Sequence, residues 1–278
     1  MTPRYPLEGV VSWNMNTTCN YRCSYCTQRF VDDRGQWARD LPRFIAAFAA
    51  LPGDWEIKLS GGEPFRHPGF IAAVEQLAAA KLRVSVVTNF SASEGELTAF
   101  ADATRSRPGL ISASLHLEYA QPEDFLAKVR AVQARHAGRV VVTCVATRDN
   151  LPRLEALQAS FAAAGVTFRI QPEKQDRDVI DYDDGERQQL IKLGGHNGTG
   201  EIAPSFAGQP CWAGARYFIV DHTGEAYRCY PARRQRRERL GNVLDGTFRI
   251  RTEPEPCRYA YCNCTVPQQR GMVEAGRS

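Results

Sequence analysis

From residue 9 onward, apolar runs of strand length alternate with stretches of helical period. Residues 9–15, Gly-Val-Val-Ser-Trp-Asn-Met, read as a short apolar strand. Residues 40–51 read as a helix, with Asp40 as its cap and Pro42 in the first turn, where proline is tolerated. Trp55-Glu-Ile-Lys-Leu-Ser60 reads as a second strand, ending in Gly61-Gly62-Glu63-Pro64-Phe65. Over 68–80 the residues Phe70, Ile71, Val74 and Leu77 recur at helical spacing. Strands at 83–88, 110–116, 139–147 and 166–171 follow, with helices near 94–104, 122–136 and 151–164 between them. Strand and helix thus alternate six times. Continuous apolar strands separated by amphipathic helices imply a parallel sheet covered by helices, and a partial (β/α)6 TIM-like barrel fits the count. In such barrels the chemistry sits at the carboxyl ends of the strands.

The pattern changes after Glu173. Residues 173–187 are strongly charged, and 194–200, Gly-Gly-His-Asn-Gly-Thr-Gly, read as a flexible connection. Residues 217–230 read as a hairpin, turning at Asp221-His-Thr-Gly224. The expected organisation is a barrel over 1–180, a connection over 181–204 and a small cysteine-rich unit over 205–278.

Composition narrows the class. The 278 residues are 43% hydrophobic and 24% charged, with a net charge of +4, as in a soluble globular protein. No run is apolar enough to span a bilayer, and the start has no signal-peptide core, so a cytoplasmic protein is expected. The mild charge permits an anionic substrate and does not require nucleic acid. Nine cysteines in such a chain argue for metal clusters over disulfides.

The densest chemistry is Cys19-Asn-Tyr-Arg-Cys23-Ser-Tyr-Cys26. Thiolates are soft ligands for iron–sulfur clusters and zinc. Three of them fill three corners of a [4Fe–4S] cube and leave one iron open, which is what catalysis needs. A zinc knot would want a fourth ligand close by. The glycines of Gly61-Gly62-Glu63-Pro64 let backbone approach a ligand closely, and Glu63 can accept bonds from an ammonium group. Asn89 ends the third strand. Ser112 and Ser114 share one face of the fourth by the two-residue period, and His116 and Glu118 end it. Arg148, Gln171 and Glu173 fall at the ends of later strands.

The Cys-x3-Cys-x2-Cys run, with Tyr25 as the aromatic before the third cysteine, resembles the signature of the radical S-adenosylmethionine (SAM) enzymes. The resemblance implies that the open iron binds the amine and carboxylate of SAM. The reduced cluster then yields a 5′-deoxyadenosyl radical that takes a hydrogen atom from a substrate. It also implies that Gly61, Gly62, Glu63 and Pro64 bind the methionine amino group, that Asn89 belongs to a Thr-Asn pair ending the third strand, and that Ser114 or Ser112 contacts the ribose. The family often has aspartate where His116 stands. A flavodoxin or ferredoxin is the expected electron donor.

Beyond the barrel, Cys211-Trp-Ala-Gly, the hairpin and Arg228-Cys229 resemble the SPASM or twitch extension of these enzymes, which holds an auxiliary [4Fe–4S] cluster. Five cysteines are available there, Cys211, Cys229, Cys257, Cys262 and Cys264, and one cluster needs four. Cys211, Cys229, Cys262 and Cys264 are favoured, with Cys257 open, and a zinc ribbon is the alternative. Cys144, mid-strand, reads as a small buried hydrophobe or as a hydrogen-atom donor to a substrate radical. His116 and Glu118 are the candidates for acid–base work. His67, His136, His196 and His222 read as surface or turn residues, and Arg233–Arg239 as a solvated basic run or an anion site. Three functions remain in view: oxidation or epimerisation of a small polar metabolite such as a sugar or aminoglycoside, modification of a ribosomal peptide, and a non-catalytic metal protein binding nucleic acid. The third leaves Gly61–Phe65 and the sixfold alternation unexplained.

Overall fold

The central strands put apolar side chains such as Ile57, Leu59, Ile111 and Ala113 on one face, which helices must cover, and polar ones such as Lys58, Ser60, Ser112 and Ser114 on the other. The computed structural model describes residues 8–273 except 29, 32, 176 and 177, and not the side chains of 34–38. In chain order the first half contains β1 (Gly9–Asn16), α1 (Arg34–Ala49), β2 (Trp55–Gly61), α2 (Phe70–Ala79), β3 (Arg83–Thr88) and α3 (Glu94–Ala103). Then come β4 (Pro108–Leu115), α4 (Pro122–Gln133), β5 (Val140–Ala146), α5 (Leu151–Ala163) and β6 (Thr167–Pro172). Strands β1 to β6 pair in sequence order, all parallel. This is the α/β architecture of a partial barrel. Phe70, Ala73, Val74 and Leu77 of α2 are buried against the sheet, as are Leu154, Leu157 and Phe161 of α5. Capping is explicit at α3, where Ser93 and Glu96 form a reciprocal box.

The first helix begins at Arg34, well before the expected Asp40. Asp40 lies inside it and pairs with Arg39 and Arg43 instead of capping, and Pro42 sits in the helix interior. Paired carboxylates have no need of backbone donors, so the cap reading failed for that residue.

The second half adds β7 (Lys174–Gln175), β8 (Asp178–Val179), α6 (Asp184–Lys192), β9 (Pro210–Cys211), β10 (Tyr217–Val220) and β11 (Glu225–Tyr227). It ends with α7 (Tyr230–Gln235), β12 (Arg239–Asn242), β13 (Glu255–Pro256) and α8 (Val266–Gln269). The β10–β11 hairpin turns where the sequence places it. Gly224 has φ +88, and Asp221 Oδ1 accepts from Thr223 and Glu225 N–H. The hairpin does not stand apart. β10 pairs in parallel with β1, from Val10 opposite Tyr217 to Trp13 opposite Val220. The result is one nine-stranded sheet, β12-β11-β10-β1-β2-β3-β4-β5-β6. The terminal segment then crosses to the far side. Arg270 binds Glu56 of β2 at 2.8 Å, Lys174 Nζ donates to Asn263 O, and Asn197 donates to Thr265.

Three histidines expected at the surface are buried: His67 and His136 at 4% exposure and His196 at 0%. Each has a polar neighbour that makes burial tolerable. His67 Nδ1 accepts from Gly69 N–H, His136 Nε2 meets Gly109 O, and His196 Nδ1 lies 3.5 Å from the Tyr261 hydroxyl. The glycines around His196 do not make a loose tether. Their positive φ angles fold residues 194–198 into a turn that drives the imidazole inward. Among the described residues, no helix is long and apolar enough to cross a membrane.

Candidate active site

β1 ends in Asn16, a fully buried side chain that ties two motifs together. Its Nδ2 donates to Thr18 O at 3.1 Å, at the root of the cysteine loop, and to Glu63 O at 2.9 Å. The backbones are stitched as well: Gly62 N–H to Asn16 O at 2.8 Å and Glu63 N–H to Thr18 O at 2.9 Å. The approach is so close that a Cβ on Gly62 would stand 2.1 Å from Thr18 O, and one on Gly61 2.2 Å from Asn16 O. Only glycine fits either place, and Gly61 also has φ +141. Asp33 closes the loop, taking Thr17 N–H at 2.6 Å and the Thr18 hydroxyl at 2.8 Å.

The fourth strand supports the loop from the other side. His116 Nδ1 stands 3.2 Å from Cys23 Sγ and 2.8 Å from the Tyr25 hydroxyl. Burial lowers this imidazole to about 4, which keeps it neutral. Glu118 accepts the Ser24 N–H at 3.1 Å, and Tyr119 accepts Arg22 N–H at 2.9 Å while stacking on Tyr21. Asn89 holds Asn20 at 3.0 Å.

One cavity of about 520 Å³ opens at this end of the barrel, within the range of small-molecule sites. Its wall carries Cys19, Cys23 and Cys26, with Gly61 and Gly62 beside them. Asn89, Ser112, Ser114 and His116 line it further round, and Cys264 faces it from the carboxyl-terminal segment. Other sequence candidates lie behind the wall. The Glu63 carboxylate is 1% exposed and turns inward, accepting from Thr88, Asn89 N–H and Phe65 N–H. Burial outweighs these donors and pushes it up to about 7. Pro64 is buried in the turn after it, Tyr25 backs onto His116, and Glu118 faces Ser24. Thr143 and Val141 of β5 face the cavity, so Cys144 points to the opposite side, 2% exposed in the core, where burial pushes its thiol up to about 12.

The second thiol group is organised by Arg228, itself 1% exposed. Its guanidinium donates to Ala213 O, Pro256 O, Glu255 O and Cys211 O and pairs with Glu238 at 3.0 Å. One side chain thereby gathers the segments bearing Cys211, Cys229 and Cys257. Cys211 and Cys229 are buried, and Cys262 N–H is held by Pro204 O. Cys262 and the Tyr217 hydroxyl both hydrogen-bond Cys264, which favours its thiolate. Cys229 and Cys262 both lie within reach of the charges of Cys211 and Cys264, and Cys211 within reach of that of Cys257, whose Sγ donates to Tyr259 O.

Sequence reasoning missed the cavity cations Lys58, Arg169 and Lys174, whereas Arg234 belongs to the Arg233–Arg239 run read as a solvated run or an anion site. The signal was present for Lys58: Glu56, Lys58 and Ser60 alternate with Ile57 and Leu59, which puts polar side chains on the inner face.

Residues 13–145 match the model of the radical SAM superfamily. The matched stretch, just under half of the chain, is a radical SAM domain of this superfamily. Its members use a [4Fe–4S] cluster and SAM, and the three-thiol loop beside the two-glycine backbone cradle is a fitting donor set for both. Among curated relatives, an S-adenosylmethionine-dependent nucleotide dehydratase of Psychrobacter lutiphocae is 30% identical over 30% of this chain and 33% of its own length. A GTP 3′,8-cyclase of Stenotrophomonas maltophilia is 30% identical over 40% of this chain and 34% of its own. The match thus spans about a third of the length of these two relatives. Among solved structures, Streptococcus suis SuiB bound to its precursor peptide SuiA covers 87% of this chain and 65% of that one, with TM-score 0.59 and 12% identity. The peptide-bound anSMEcpe covers 86% and 78%, with TM-score 0.58 and 15% identity. BtrN with AdoMet and 2-DOIA covers 87% and 81%, with TM-score 0.50 and 13% identity. At these identities the likeness is one of fold.

Proposed function

We propose that the protein is a radical SAM enzyme that removes a hydrogen atom from a small polar molecule held in the barrel, giving oxidation or epimerisation. The observation that supports this most is the single cavity shared by the Cys19–Cys26 loop, the Gly61-Gly62 backbone and Cys264. Cys19, Cys23 and Cys26 would hold three irons. Bound there, the cluster and SAM supply a one-electron cleavage whose product is a strong hydrogen-atom acceptor. The protein's part is placement. Gly61 and Gly62 leave backbone groups open to the methionine end, and Ser112 and Ser114 offer hydroxyls to a ribose or substrate. His116 and Tyr25 hold the loop in place, and Glu118 fixes Ser24. Four of Cys211, Cys229, Cys257, Cys262 and Cys264 would hold an auxiliary [4Fe–4S] cluster, with Cys264 at the cavity wall as the route for the electron left after abstraction. Cys26 is exposed beside Phe30 and Val31, which leaves a face for a flavodoxin- or ferredoxin-type donor. A ribosomal peptide is the second reading, favoured by the exposed Phe30 and Tyr119 on the cysteine-loop side of the cavity.

The test is isotope transfer. With perdeuterated candidate substrates under reducing, anaerobic conditions, deuterium is expected in 5′-deoxyadenosine for the true substrate. Transfer only from a peptide would replace the metabolite reading with the peptide one. Unlabelled product with every class would remove hydrogen abstraction altogether.

A further inference from the structure

The cavity wall is cationic to an unusual degree. Arg22, Lys58, Arg169, Lys174 and Arg234 line it, and among the described residues no aspartate or glutamate does. Lys58 projects into the barrel between Ser12 of β1 and Ser85 of β3 in register. Glu56, two residues earlier on the same face, is engaged by Arg270 at 2.8 Å and by the Ser85 hydroxyl at 2.7 Å. Among the described residues Lys58 has no hydrogen bond or ion pair. Arg169 lies opposite Thr143 on β6 beside Gly198 and is likewise without one. Burial and the neighbouring Arg139 both lower it, so among the described residues no negative group offsets its charge. Lys174 makes one bond, to Asn263 O. Partly buried cations without carboxylates are costly to fold and are retained where a ligand supplies the missing charge.

Two other sources of negative charge are nearby. Thiolates at Cys262 and Cys264 act on Lys174; on Lys58 the Glu56 carboxylate, already shared with Arg270 and Ser85, acts first and Cys264 after it. None of these reaches Arg169, whose charged neighbour is Arg139. SAM brings one carboxylate, but with it an ammonium and a sulfonium. The cysteine loop and Gly61-Gly62 lie at the strand ends, while Lys58 and Arg169 stand deeper in the barrel.

Resting on the radical SAM reading above, the geometry points to a substrate that carries an anionic group, a phosphate or a carboxylate, directed into the barrel onto Lys58 and Arg169. The guanidinium fork suits either oxyanion by paired hydrogen bonds. A polycationic aminoglycoside is the wrong charge for this wall.

The test uses reconstituted, SAM-loaded enzyme at fixed ionic strength, titrated calorimetrically with glycerol 3-phosphate, succinate and glycerol. At least one anion is expected to bind at least tenfold more tightly than glycerol. Lys58→Gln and Arg169→Gln should each weaken that anion about tenfold and leave SAM affinity and uncoupled 5′-deoxyadenosine release unchanged. Arg169→Lys should recover part of the loss. Preference for glycerol 3-phosphate identifies a phosphate, and preference for succinate a carboxylate. No anion preference, full binding in both glutamine variants, or a matching loss of SAM affinity would overturn the assignment. Retained 5′-deoxyadenosine release in that case would leave the radical SAM reading standing.

Discussion

Gly62→Ala is expected to lower SAM-dependent 5′-deoxyadenosine release by about a hundredfold, the scale of an ångström-level displacement at a reacting site. The added methyl would stand 2.1 Å from Thr18 O, which is backbone and cannot swing aside. Either the Gly62-to-Asn16 and Glu63-to-Thr18 hydrogen bonds lengthen, or the root of the cysteine loop moves. Overpacking of this kind costs about 1–3 kcal/mol, so the variant should still fold. Gly95→Ala is the control. That glycine lies in the first turn of α3, its nearest neighbour to an added Cβ is 3.9 Å away, and alanine there should be neutral or slightly stabilising. Release measured by chromatography, beside a urea melt of each variant, separates a displaced loop from an unfolded protein. Unchanged release in Gly62→Ala would show that this crossing does not position the cofactor.

The second large effect is Arg228→Met. Methionine fills much of the volume but leaves Glu238 buried with Tyr259 and a distant Arg251 at 3.6 Å, and strips four carbonyls of their donor. Removing one partner of a buried ion pair costs about 3–5 kcal/mol. The carbonyls released belong to the segments carrying Cys211 and Cys257, so the damage falls on the second thiol group. Iron after anaerobic reconstitution should drop from about eight per chain to about four, with the Cys19–Cys26 cluster retained. Arg228→Lys should recover little, because an ammonium cannot span the same carbonyls. A variant that keeps eight irons would show that Arg228 is not what gathers these cysteines.

The barrel was legible because stretches of strand length alternate with stretches of helical period, and β5, Val-Val-Val-Thr-Cys-Val-Ala, is the clearest strand. The cysteine loop and Gly61-Gly62 were legible because their chemistry depends on short spacing. Pairings between distant residues were not. Nothing in Tyr217–Val220 says that it will lie beside Val10–Trp13, since a parallel edge is chosen by what packs over it. Glu63 shows the same limit at one side chain. Its motif suggested a carboxylate facing a ligand, but Thr88 and two backbone N–H groups draw it inward. The buried histidines were misplaced because polarity alone argues for the surface, and only the fold reveals Gly109 O behind His136. Lys58 and Arg169 were overlooked because cations scattered through the sequence meet only when the barrel closes.

An open cluster at Cys19, Cys23 and Cys26 has to engage SAM for the proposed chemistry to run. The direct measurement is 5′-deoxyadenosine released from SAM by dithionite-reduced, iron-loaded protein, compared with Cys23→Ala prepared in the same way. The prediction is release by the native chain and none by the variant, which keeps only the irons of the second thiol group. Release that persists in Cys23→Ala, or native protein with a filled cluster that leaves SAM intact, would contradict it.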